Sequence, residues 1–112
     1  METWLNPKMV FEGKIFSVKV GEVRLDDGSL ARREIVLHRG GVGIVPILND
    51  EVLLVRQFRI AIGRPILEIP AGRLEEGEEP EHRAKVELEE EIGYRPGRLV
   101  YVASCYLSLI HI

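Results

Sequence analysis

Polar and apolar positions alternate through much of the first half of the chain. Lys14-Ile15-Phe16-Ser17-Val18-Lys19-Val20 and Glu22-Val23-Arg24-Leu25 carry the two-residue period of half-buried strands. Asp26-Asp27-Gly28-Ser29 then supplies turn chemistry, with Gly28 free to take positive φ, so Leu30 to His38 is expected to return as the second strand of a hairpin. Arg39-Gly40-Gly41 breaks the pattern before an apolar run, Val42 to Leu48, that reads as a central strand. Asn49-Asp50 is a second turn. Glu51 to Phe58 reads as a further strand, apolar enough to predict burial on both faces. Gly63 and Pro65 predict a loop between Ile60 and Leu67, and Pro70-Ala71-Gly72 interrupts any regular element.

One segment has the helical period. Pro80 suits a first helical turn, Glu78, Glu79 and Glu81 complement the positive end of the helix dipole, and Gly93 is a natural stop. Ala84, Leu88 and Ile92 recur every fourth residue and should face the sheet. Leu99 to Tyr106 reads as a last strand. The pattern is α+β, and 112 residues suffice for a single domain, residues 1–112.

Composition narrows the classes. With 46% hydrophobic and 29% charged residues the chain can build a core, which excludes disorder and coiled coil. A net charge of -3 argues against a nucleic-acid partner drawn in by phosphate attraction. Cys105 is the sole cysteine, so no internal disulfide or zinc spacing exists, and a reducing cytoplasm suits it. Met1 to Pro7 lacks the basic start and apolar run of a signal sequence. The longest uncharged stretch, Leu99 to Ile112, falls short of the ~20 residues of a membrane helix, so a soluble protein is expected.

The helix carries the candidate chemistry. At ~100° per residue from Ala84, Glu87 falls near ~300°, Glu91 near ~340° and Glu90 near ~240°. Like charges at this spacing repel, and a divalent cation is one reason to gather them, because Mg²⁺ prefers carboxylate oxygens and water. A solvated acidic helix face is the alternative. Gly72, Glu78, Glu87, Leu88, Glu90, Glu91, Gly93 and Tyr94 carry a more specific pattern. In it the chain resembles the Nudix hydrolase family, whose box runs Gly, five residues, Glu, seven residues, Arg-Glu, an aliphatic residue, any residue, Glu-Glu, any residue, Gly and an apolar residue. One position departs: Val86 stands where the family has Arg, which helps hold and orient the acidic side chains. Arg83, near ~260° on the same wheel, lies between Glu90 and Glu87 and is the candidate substitute.

The resemblance implies a Nudix α/β/α sandwich, a mixed sheet with the Nudix loop-helix-loop, preceded by an N-terminal antiparallel β hairpin. Its N-terminal strands would span residues 9–38 and its core residues 42–106. Outside the box, Arg33-Glu34, Arg39-Gly40-Gly41, Val55-Arg56-Gln57-Phe58-Arg59 and Leu67-Glu68-Ile69-Pro70-Ala71-Gly72 are similar to ADP-ribose pyrophosphatases. That similarity implies Mg²⁺-dependent hydrolysis of ADP-ribose, a nucleoside diphosphate sugar, to AMP and ribose 5-phosphate, with Mn²⁺ as an alternative metal. It implies metal ligation by the Ala71 carbonyl with Glu87, Glu90 and Glu91, which are also the catalytic carboxylates. Arg33, Arg56, Arg59 and Glu68 would bind substrate, and a homodimer would bring N-terminal strands to the partner's site. His38 and His82 fall on no family site.

Two other readings stay open. The substrate is another nucleoside diphosphate sugar or a dinucleotide, or the chain is a catalytically impaired nucleotide-binding module. ADP-ribose pyrophosphatases usually continue with a loop carrying another catalytic Glu, a strand and a closing helix. Here the last six residues, Leu107-Ser108-Leu109-Ile110-His111-Ile112, look like the translated end of a transposon-based library adapter. The expectation is a truncated reading frame with a tail that is not native.

Overall fold

The structure is a computed structural model and describes residues 1–107. It divides into two compact units, Met1–Gly41 with Arg73–Gly77, and Val42–Gly72 with the chain from Glu78 on. In the first, strands β1 (Thr3–Trp4), β2 (Lys8–Glu12), β3 (Phe16–Arg24) and β4 (Leu30–His38) form one antiparallel sheet. The expected hairpin is present: β3 and β4 pair without a break from Phe16 opposite His38 to Arg24 opposite Leu30. Asp27 Oδ1 accepts the Ser29 N–H at 2.9 Å and Gly28 takes a φ of 83°, which closes the turn.

The other edge of β3 is shared by β1, opposite Val23 and Arg24, and β2, opposite Ser17 to Val20. Gly21 lies between them, and a Cβ there would come within 2.9 Å of the Asn6 carbonyl oxygen and Pro7 Cα. The strand therefore runs through Gly21 as one element instead of the two segments read from the sequence. Strand β2 escaped the periodicity argument because its register shifts between Met9 and Phe11, which breaks the alternation.

The second region is built from shorter pieces. Strand β5 (Gly41–Gly43) pairs with β10 (Ala71–Arg73), β6 (Ile47–Leu48) with β7 (Glu51–Val52), and β8 (Val55–Arg59) with β9 (Arg64–Glu68). The expected strand Val42 to Leu48 is thus split, since Pro46 has a fixed φ and no N–H for a ladder. The turn at Asn49-Asp50 holds, with φ of 51° and 62°. Glu51 to Phe58 is also split and is not buried on both faces: Val52 and Phe58 are exposed. The loop expected from Ile60 to Leu67 shortens to a turn in which the Ile62 and Gly63 N–H groups both donate to the Arg59 carbonyl, and β9 begins at Arg64.

Helix α1 (Pro80–Ile92) matches its expected bounds. Leu88 is 3% exposed, Ala84 and Ile92 are half-buried, and Ile44 and Pro70 are the other buried residues among those described in this unit. No strand forms at Leu99 to Tyr106: Val100, Tyr101, Val102 and Tyr106 stand in solvent. High β propensity is not enough where no neighbouring edge takes the backbone groups. Of the expected non-native tail only Leu107 lies within the described residues. No described helix is long and apolar enough to cross a membrane.

Candidate active site

The start of α1 is set by Glu79 in extended conformation (φ −72°, ψ 130°) followed by Pro80, whose ring fixes a helical φ. Its end is set by Gly93 at φ 73°, whose N–H donates to the Glu89 carbonyl at 3.1 Å. Leu88 then fixes which way the helix faces, and that choice turns Glu87 and Glu91 toward the short segment Ala71-Gly72. A Cβ built on Gly72 would overlap the Glu87 carboxylate, so only glycine fits there. Glu91 Oε2 accepts the Ala71 N–H at 3.3 Å. Two carboxylates one helical turn apart therefore lie on two consecutive backbone residues. Glu90 is not brought in: it is exposed and makes no hydrogen bond or ion pair among the described residues.

Arg83 occupies the same helix face one turn before Glu87. Its Nε lies 3.0 Å from both Glu78 oxygens, its Nη2 2.8 Å from Glu78 Oε1 and its Nη1 3.3 Å from Glu87 Oε1. The three side chains are only 19%, 11% and 13% exposed. The Glu78 carboxylate, and then Glu87, push the Arg83 guanidinium further toward its charged form.

Hairpin β8–β9 presents a second guanidinium. Register sets Val55, Gln57 and Arg59 on one face with Glu68, Ile66 and Arg64. Along that face Arg59 grips Glu68 with two contacts, Nε to Oε1 at 2.9 Å and Nη2 to Oε2 at 2.8 Å. The hydrogen bond from Arg59 holds the Glu68 carboxyl below its usual value, and Arg59 is raised by Glu68 and, less, by the nearby charge of Glu91. Arg56 falls on the opposite face with Phe58 and Leu67, exposed and without a hydrogen bond or ion pair among the described residues.

Arg33, on β4 in the first unit, is held by Glu2 through Nε at 2.9 Å and Nη2 at 2.6 Å. The Arg33 hydrogen bond lowers the Glu2 pKa. Glu2 had no signal in the sequence, since a lone Glu near the start of a chain gives no hint of a partner 31 residues away. The same unit contains a groove of about 350 Å³ lined by Lys14, Ile15, His38, Arg39, Arg73 and Glu75. There Arg39 pairs with Glu75 at 3.2 Å, and His38 Nδ1 accepts the Gly40 N–H at 2.9 Å, so a neutral ring carries its proton on Nε2. His38 is thus a groove residue, which its sequence context did not suggest.

The donor chemistry at Ala71-Gly72 is that of a hard divalent cation: carboxylate oxygens on adjacent turns beside backbone. Glu87 and Glu91 are gathered there. Among the described residues, however, no group of three or more His, Cys, Asp or Glu side chains converges as a metal cage. The fit is therefore that of a site with few protein ligands, the kind in which Mg²⁺ keeps several waters.

Residues 37–110 match the family model of the NUDIX domain. Over 108 residues the chain is 41% identical to the ADP-ribose pyrophosphatase of Bacillus subtilis (strain 168), covering 96% of this chain and 58% of that protein. It is 38% identical over 104 residues to the methanol dehydrogenase activator of Bacillus methanolicus, covering 92% and 56%. It also resembles the crystal structure of an ADP compounds hydrolase with a TM-score of 0.70 at 28% identity, over 87% of this chain and 54% of that one. The chain thus spans a little over half the length of these two Bacillus relatives.

Proposed function

Because the chain belongs to the NUDIX domain family, we propose that it hydrolyses the diphosphate bond of a nucleoside diphosphate sugar, ADP-ribose foremost, in a Mg²⁺-dependent reaction. The carrying observation is the placement of Glu87 and Glu91 on the Ala71-Gly72 backbone. With Glu90 and the Ala71 carbonyl these are the proposed metal ligands and catalytic carboxylates, Mn²⁺ being an alternative occupant. A bound cation would offset negative charge on the diphosphate oxygens. The side chains do the rest: Glu68 orients the Arg59 fork, a group suited to binding phosphate oxygens in two places at once, and Arg56 and Arg33 are each proposed as separate substrate contacts. Water adds to one phosphorus while the bridging P–O bond breaks, which gives AMP and ribose 5-phosphate.

The protein is further proposed to be cytoplasmic and homodimeric. The free, exposed Cys105 suits a reducing compartment. Phe11, Val18 and Val36 align across three strands of the first unit, and Phe11 and Val36 are about half exposed, which supports burial against a second copy. An alignment with one relative over 108 residues, 96% of this chain, supports reading the chain as one domain, with N-terminal strands over 9–38 and a core over 42–106.

A nucleotide-binding module with impaired catalysis is the second reading. It is favoured by Val86 in the box and by Glu90 standing apart. Release of AMP from a panel of nucleoside diphosphate sugars, with and without Mg²⁺, separates the two. Metal-dependent AMP release, fastest from ADP-ribose, is expected. Saturable ADP-ribose binding with no release over hours would establish the binding module instead.

A further inference from the structure

Arg83 joins two partly buried carboxylates that belong to different parts of the chain. Glu78 sits in the loop before α1, and Glu87 sits on the helix over Gly72. A guanidinium can do this because its N–H groups point in fixed, divergent directions: Nε and Nη2 serve one acceptor while Nη1 serves another. An ammonium has three donors on one nitrogen and no planar fork, so it does not grip both oxygens of Glu78 while a separate nitrogen reaches Glu87. The other cationic side chains in ion pairs here are 33% to 84% exposed, against 19% for Arg83. Their pairs are the more easily screened and exchanged with water. Glu87 is confined on one side by the Gly72 backbone, which leaves no room for a Cβ, and on the other by Nη1 of Arg83. Val86, the residue before Glu87, has no donor with which to share that work.

We infer that Arg83 is a positioning residue that fixes the Glu87 carboxylate against Gly72 for a divalent cation, taking over from one turn upstream the holding role that Val86 cannot perform. The inference rests on the reading of Glu87 as a metal ligand. It has a feature that separates geometry from charge. A cation beside a metal site opposes metal binding by repulsion, so a purely electrostatic Arg83 would weaken the site and its loss would tighten it. A positioning Arg83 does the reverse, because the carboxylate loses its orientation when the fork is gone.

The test is calorimetric titration of Mn²⁺ into the parent chain, Arg83→Lys, Arg83→Gln, and Arg83→Gln combined with Val86→Arg, with helix content followed by circular dichroism. Arg83→Lys keeps the charge and removes the fork, and its Kd for Mn²⁺ should rise ~10-fold, as for loss of a group that supports a metal ligand. The double variant has the parent's charge and a guanidinium on the neighbouring stripe of the same face, and should return to within about twofold of the parent. Parental affinity in Arg83→Lys, or tighter binding in Arg83→Gln, would overturn the inference and leave the metal site standing. A parent chain that binds no Mn²⁺ at millimolar metal would overturn the metal reading and this inference together.

Discussion

Nine-residue strands β3 and β4 face each other over their whole length in the first unit, whereas the described strands lying wholly within the second run from two to five residues. A long ladder satisfies its own backbone groups, and the first unit buries little within this chain: Val23 is its one buried apolar residue, and Phe11 and Val36 face solvent. Short strands leave more to side chains. The second unit buries Ile44, Leu88 and Pro70, and it uses Glu87, Glu91 and Arg83 to tie α1 to Ala71-Gly72 and to the loop before the helix. The lesson is that the proposed chemical groups also serve as local structure. Removing one changes shape as well as charge, and charge-conserving variants are the informative ones.

The largest expected effect is at Leu88. Leu88→Ala should cost about 2 to 5 kcal/mol and speed amide hydrogen exchange through α1. Val23→Ala, at the corresponding point of the first unit, removes two methyl groups and should cost about 1.5 kcal/mol, with exchange rising in β3 and β4. Uniform acceleration everywhere in both variants would erase the distinction between the units.

Next comes a pair of glycines. Gly72→Ala should displace Glu87 and weaken Mn²⁺ binding ~10-fold while circular dichroism reports an intact helix. Gly28→Ala, at φ 83° with open space around it, should cost ~1 kcal/mol of stability and leave Mn²⁺ affinity unchanged. Equal metal binding by the two would show that Gly72 is a backbone requirement only.

Acid titration gives a smaller effect in both units, because an arginine fork holds down Glu2 in the first and Glu68 in the second. Glu2 and Glu68 both lie below the ordinary value of 4.5. Their folded pKa values are depressed, so the stability they add is present above 4.5 and is lost as pH falls through the lower folded values. Carboxyl carbon NMR should give both midpoints below 4.5, drifting upward in ~1 M salt as the pairs are screened. A midpoint at or above 4.5 for either residue would mean that its pair does not persist in solution. Smallest of all, Glu2→Gln should lower the urea midpoint only slightly, since its pair is open to solvent.

The same division explains what could be read in the sequence. The β3–β4 hairpin and α1 were legible because each keeps one period over at least nine residues between clear stops. The strands from Gly41 to Arg73 were misjudged in length because Pro46 and tight turns divide runs whose apolar character continues across the break. At the candidate site, the box spacing singled out Glu87 and Glu91 ahead of their placement on Ala71-Gly72. The bidentate pairing of Arg59 with Glu68 and of Arg33 with Glu2 left no local signal, since those partners are nine and 31 residues apart. The exposure of Arg56 follows from strand parity, which could be assigned only once the register of β8 and β9 was known.

The central claim, that the Ala71-Gly72 segment and the acidic face of α1 form a divalent-cation site, is tested most directly by titrating Mn²⁺ into the Glu87→Gln, Glu91→Gln double variant and into the parent. Each substitution keeps side-chain size and removes one negative charge. The account predicts saturable binding in the parent and loss of that binding, by at least ~10-fold in Kd, in the double variant. Equal affinity in the two proteins would contradict it.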